Sequence, residues 1–466
     1  MSRRPTLHDV RRFLAPVALL VAFAALARPA AAHAGSLSGT YRSAPVPSWL
    51  VTATGAAVIG ASFLATSFLT DHDAIRALNR RGLSLPWPSL ADSLLHPAGR
   101  IAGVLALAAV VVVALLGPAT GTANAAVLFV WAGWWAGYTA TVYLVADTWP
   151  TLDPWRTLAR LVPGTGRWSY PGWLAEWPAV VGLLSLVYLE VVTPVASAPR
   201  FLGAVVLGYT LVTLAGATLL GVDEWFGNVD PVAAVFRYYG RLAPVRRTDE
   251  GLRLRVPGTA LTEASAPEGP AGTAVVVALL WVTTFDGLVT TAAWGRLAAP
   301  LVRAGLPAHL VYAVAMVAGF GLFWGVYRAV ARWARGTADT YVTARTLAGW
   351  FAPSLLPIAA GYHLAHFLGY FLSLAPALLT VLGQPFSPPA TVPVAVLPGW
   401  FGALQLALVV LGHLLAVWVA HALSFQVFPG RLQPLRSQYP LVLAMVAYTA
   451  TSMWIVSRPY TPPPFL

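Results

Sequence analysis

Residues 272–294 read GTAVVVALLWVTTFDGLVTTAAW, an apolar run broken by a single charged residue, Asp286. Its length is that of a helix crossing a hydrocarbon layer about 30 Å thick at ~1.5 Å per residue. Polar and apolar positions do not alternate, so the run reads as a helix and not as a strand of a membrane barrel.

Runs of the same kind recur near 48–70, 101–117, 125–147, 178–196, 201–221, 309–330, 350–381, 400–425 and 439–457. With 272–294 they predict an all-α polytopic bundle of about ten spans. The composition agrees: 58% hydrophobic and 10% charged residues, with mean hydropathy +0.69, carry more apolar surface than one soluble core hides. The net charge of +12 comes from arginines scattered between the apolar runs. It therefore reads as membrane topology, with a lipid bilayer as partner and no nucleic acid.

If the mature N-terminus lies outside, the loops facing inward hold nineteen arginines and those facing outward hold five, Arg42, Arg200, Arg296, Arg303 and Arg458. That asymmetry predicts a plasma (inner) membrane protein with both mature termini outside. Upstream, Arg3, Arg4, Arg11 and Arg12 precede an apolar stretch from Phe13 to Leu26 and then Ala30-Ala31-Ala32, the order of a secretory signal; an uncleaved first helix is the alternative. The expected organisation is a signal segment over 1–32, a first lobe of five helices over 33–221, an Arg-rich and then Pro/Gly/Ala-rich cytoplasmic linker over 222–271, and a second five-helix lobe over 272–466.

Cysteine is absent, which excludes disulfides, thiolate metal sites and iron–sulfur clusters and leaves imidazole and carboxylate as ligands. Four histidines lie inside apolar runs: His363 and His366 in GYHLAHFLGY (361–370), and His413 and His421 in LGHLLAVWVAH (411–421). Ionisable groups at such depth pair, line a cavity or hold a cofactor. His363 and His366 are three apart and share a helix face, and His413 lies at similar depth on the next span. These three are the candidate ligands of a divalent metal, zinc or copper, with a water or substrate in an open position. Asp286 is the candidate catalytic carboxylate, as general base or as partner to a ligand.

Other readings stay open. Facing imidazoles also hold haem b. Histidines and acids in a bundle form proton or ion relays, as in a transporter or a metal- or haem-handling permease, and imidazoles also serve as interhelical hydrogen-bonding groups. Glu190, Asp147 and Asp223 are weaker candidates near span ends, and His96 reads as a loop residue. Cleavage before His33 would place an amine and an imidazole on one residue, a copper(II) chelator by ligand type, with His309 as the other outward histidine. No GxSxG, Walker A, GxGxxG or HExxH pattern occurs.

The stretches AAAHAG (30–35), DPWRTLARL (153–161), VTTFDGLVTTAAW (282–294), GYHLAHF (361–367), VVLGHLLAVWVAHAL (409–423) and RSQYPLVLAMVAYTATSMWIVS (436–457) together resemble the multi-pass membrane proteins named fenitrothion hydrolase. The resemblance implies an integral membrane protein and, through the family name, hydrolysis of an organophosphate ester that partitions into lipid. It carries over no catalytic residue. In that family the last intramembrane histidine is often followed by Asp-Arg, whereas His421 here is followed by Ala422 and Leu423.

Overall fold

The computed structural model describes residues 47–87, 89–249, 251–263 and 266–466, so the signal segment and His33 lie outside the described residues. The chain is an all-α bundle. Among the described residues nine helices are long and apolar enough to cross a bilayer. They are α1 (Ser48–Ser67), α3 (Ser89–Leu116), α4 (Ala125–Leu144), α7 (Pro199–Leu220), α9 (Pro270–Val289), α11 (Ala308–Ala338), α12 with α13 (Ala344–Phe351, Leu356–Gly383), α14 (Phe401–Val427) and α15 (Leu432–Val456). Shorter helices are α2 (His72–Asn79), α5 (Pro154–Leu161), α6 (Trp177–Val192), α8 (Pro231–Gly240) and α10 (Ala292–Arg303).

The apolar run at 178–196 forms only the 16-residue α6, because the chain turns at Thr193 into a 3₁₀ turn over Pro194–Ala196. At ~1.5 Å per residue α6 spans roughly 24 Å, less than the hydrocarbon thickness. Pro353 lies in the break before the histidine-bearing helix, and Pro357 in that helix's first turn. A 3₁₀ turn over Ala352–Leu355 separates α12 from α13, since a proline removes a helical donor and crowds the preceding turn. The middle of α4, Phe129–Tyr138, is wound as a π-helix, a wider coil than apolarity alone announces.

α9 is the centre of the bundle: 94% of its apolar window is buried, against 22% in α1 or α7, whose remaining side chains face outward. It packs on α6, α11 and α13, so elements before and after residue 222 share one core. The segment 222–271, read as an Arg-rich and then Pro/Gly/Ala-rich linker, begins with ordered structure. Asp230 caps α8 by accepting from the Ala233 N–H at 2.7 Å, and Pro231 opens the helix with its φ already suitable. Phe236 and Tyr239 of α8 are fully buried, because the run VAAVF is apolar enough to enter the core. Beyond it, β2 (Val245–Thr248) and β3 (Gly251–Arg255) form an antiparallel pair that β1 (Gly82–Leu85) completes, in the order β1-β3-β2.

α13 and α14 approach most closely where Gly361 faces Gly412. A Cβ on Gly361 would lie 2.9 Å from the Gly412 Cα, and one on Gly412 would lie 2.6 Å from the Pro357 carbonyl oxygen. Small residues let helix backbones approach in an environment that gives helix association no hydrophobic drive. Gly412→Val is therefore expected to force the two histidine-bearing helices apart and to cost about 1–3 kcal/mol, read as a lowered melting temperature in detergent. Gly383→Ala, where a Cβ meets nothing within 4 Å, is the control expected to melt like the wild type.

Candidate functional site within the bundle

Asp286 stands one turn before the end of α9, with its side chain 8% exposed. Its Oδ2 accepts from His366 Nε2 of α13 at 3.1 Å, and the imidazole is itself only 11% exposed. This contact is a hydrogen bond when the imidazole is neutral and an ion pair when it is protonated. Glycine at 287 makes room beside it, since a Cβ there would collide with the Tyr362 hydroxyl. The Tyr362 ring lies parallel to the His366 ring, with centroids 6.4 Å apart.

One turn back, His363 is completely buried and directs Nδ1 to the Tyr143 hydroxyl of α4 at 3.1 Å. Its ring is packed by Trp135, Phe367 and Tyr239, at centroid distances of 5.5, 4.8 and 5.9 Å. Tyr143 in turn meets Tyr239 of α8 edge-on at 5.4 Å. Imidazole and phenol groups from three helices therefore adjoin the Asp286–His366 pair.

His413 is fully buried and turned elsewhere. Its Nδ1–H donates to the Val409 carbonyl of its own helix at 2.9 Å, which fixes the neutral ring with its lone pair on Nε2. The ring faces Tyr448 at 5.7 Å, and the Tyr448 hydroxyl lies 2.5 Å from the Thr284 hydroxyl of α9. His421 is held by the Leu69 carbonyl at 2.8 Å from Nε2, in the turn after α1, and closes a helix contact.

The three histidines expected to share an ion are thus taken up by different neighbours: His363 by Tyr143, His366 by Asp286 and His413 by its own backbone. Among the described residues no three His, Cys, Asp or Glu side chains converge in a metal-binding arrangement. The reason lies in helix geometry and competition. Positions three apart lie on one face but differ by about 60° around the axis, enough for two neighbouring helices to claim one ring each. The residues do not fit haem b either, because a macrocycle on His363 would displace the packed rings of Trp135, Phe367 and Tyr239.

The remaining sequence candidates scatter. Glu190 is buried near the end of α6, Asp223 is in the short partly exposed helix Val222–Glu224, and His309 receives the Tyr188 hydroxyl on its carbonyl. His96 is exposed on α3 beside Pro97, and not on a loop. What the sequence reading missed are Tyr143, Tyr239, Tyr362 and Tyr448. Their signal was a phenol inside an apolar run, a polar tip that must find a partner when buried. The chain matches no protein-family model and shows no similarity to curated proteins or to solved structures.

Beside the bundle core, Asp153 and Asp230 cap α5 and α8 from neighbouring positions. Asp153 accepts from the Arg156 N–H at 3.0 Å, and Asp230 accepts from the Tyr209 hydroxyl at 2.7 Å. Burial pushes the Asp153 carboxyl up to about 7; the bond from the Arg156 N–H opposes this, and the charge of Asp230 adds to it. A folded-state value raised above the unfolded one stabilises the fold fully below about pH 4, and that contribution is lost as pH rises through about 7. The melting temperature in detergent should therefore decline between pH 4 and pH 7, at a cost on the order of 1 kcal/mol per pH unit from this group. Asp153→Asn keeps the cap and is expected to flatten that slope in a pH series of thermal melts.

Proposed function

We propose that the protein is a proton-linked membrane transporter whose protonation site is the Asp286–His366 pair. The observation that carries this reading is the 3.1 Å contact of a carboxylate and an imidazole on the most buried helix of the bundle and its neighbour. A charged group is costly in a low-dielectric interior, and ionisable residues kept there mark ion and proton pathways. Three features support the relay. A proton arriving at the imidazole turns a hydrogen bond into an ion pair, so the strength of the α9–α13 contact follows the protonation state. His363 and Tyr143 provide a second exchangeable proton next along α13. The π-wound stretch of α4 and the 3₁₀ turn before α13 are the irregular helical segments that accompany binding and movement in bundles. Under this reading the protein sits in the plasma membrane with its Arg-rich loops inside and both mature termini outside.

A second reading follows from the same pair and from the resemblance to fenitrothion hydrolases. A carboxylate that orients an imidazole is the arrangement of a general base, and His366 would activate water against a lipid-soluble phosphotriester with Asp286 holding the ring. This reading needs no metal.

One preparation separates the two. Protein reconstituted in liposomes containing a pH-sensitive dye is given a potassium diffusion potential with valinomycin. The wild type is expected to acidify or alkalinise the lumen at least ten-fold faster than empty vesicles, and Asp286→Asn and His366→Gln to lose that flux. Flux equal to that of empty vesicles, or flux unchanged in both variants, rejects the transporter. Release of nitrophenol from a nitrophenyl phosphotriester by the same vesicles, abolished by His366→Gln, would instead establish the hydrolase.

A further inference from the structure

Away from the Asp286–His366 pair, the sheet and the end of α8 border an open cavity of about 290 Å³. Three arginines line it, Arg246 and Arg247 of β2 and Arg255 of β3, together with Asp147, Gly240 and Thr248. Strand register brings a further guanidinium onto the sheet beside it. Arg246 stands directly opposite Arg253 across β2 and β3, so the same sheet face carries Arg246, Arg253 and Arg255. Like charges opposite one another destabilise a strand pair unless an anion lies between or above them.

Glu263 takes Arg255 Nη1 at 2.5 Å, and Arg253 donates to the Arg80 carbonyl. Among the described residues Asp147 is the one acid lining the cavity. Burial pushes its carboxyl up to about 6, against the opposing pull of the Trp149 N–H and of the Arg246 charge. A second and independent observation concerns Arg255. Its side chain is only 9% exposed, and its Nε is buried with no hydrogen-bond partner among the described residues. A buried N–H without an acceptor is costly, and guanidinium forks match the oxygens of a phosphate.

We propose that this cavity binds a phosphate group, presented either by the headgroup of an acidic phospholipid or by a small soluble phosphorylated molecule. Its volume is at the lower edge of small-molecule sites, about 300 Å³, and suits an anionic head without a large organic body. Glycine at 240 helps shape it, because a Cβ there would come within 2.8 Å of the Asp147 Cβ and push the acid across the cavity.

The test uses full-length protein and the double variant Arg246→Gln/Arg247→Gln, whose substitutions lie on an outer strand and whose folding is checked by gel filtration and melting. In nanodiscs of pure phosphatidylcholine, inorganic phosphate is titrated while melting is followed. In parallel, protein held in an equal mixture of phosphatidylglycerol and phosphatidylcholine is extracted and its retained lipid weighed by native mass spectrometry. A phosphate-dependent rise in melting temperature, with affinity at least ten-fold weaker in the double variant, supports the site with a soluble ligand. Retention of phosphatidylglycerol over phosphatidylcholine, lost in the double variant, supports it with a lipid headgroup. Arg255→Gln also breaks the Glu263 pair, so the double variant decides. Absence of both effects in the wild type, or the same effects in the double variant, overturns the proposal.

Discussion

A carboxylate inside a bundle that crosses a bilayer needs a partner on another helix, and the contact of Asp286 with His366 supplies it. The alternative, an unpaired charge in a low-dielectric interior, costs several kcal/mol or forces the acid to hold its proton. The pair therefore fixes the rotation of α9 and α13 about their axes and the depth at which they meet. Other features follow from that alignment. Gly287 clears space for the Tyr362 hydroxyl, and Gly361 with Gly412 lets α14 close against the opposite side of α13. Proline at 353 redirects the chain before the histidine helix begins, so that α13 can enter the bundle at the angle its partners require.

The distribution of buried polar groups has a common logic. Several threonines and serines on the spanning helices return their hydroxyls to carbonyls three or four residues back, as Thr218 does on α7, Thr380 on α13 and Thr449 on α15. These groups are satisfied locally and place no demand on a neighbouring helix. Imidazole, phenol and carboxylate reach further and cannot all do so. His413 manages it by bonding Val409, which is why it drops out of the cluster, while His363 and His366 look outward to α4 and α9. The polar centre of the bundle is thus made of the side chains that local bonding could not satisfy.

Apolar run length was enough to find the nine long helices, because burying a backbone in hydrocarbon leaves few alternatives to a helix. Less legible was the segment after Gly221. Its arginines read as a solvated linker, yet the short apolar VAAVF run between Asp230-Pro231 and Arg237 folds into the core, and arginines and leucines beyond it alternate into strands. Strand pairing of β1 with β3 joins residues some 170 positions apart in sequence, a contact with no local signature. In the site, the choice of Asp286, His363 and His366 was legible from the rarity of such groups in apolar runs. Their partners were not. Spacing of three on a helix states that two rings share a face, but which neighbouring helix claims each depends on tertiary rotation that periodicity does not encode.

The contrast between His366 and His413 also bears on what kind of chemistry the bundle accommodates. A metal site needs several ligands whose lone pairs aim at one point, with outer groups holding each ring. Here the outer groups are present, in Asp286, Tyr143 and the Val409 carbonyl, but they hold the rings toward separate places. An imidazole against a carboxylate and an imidazole against a phenol, one turn apart on α13, form two adjoining polar contacts that point to different helices. The bundle therefore contains a helix whose two lateral polar contacts go to different neighbours, α9 through His366 and α4 through His363.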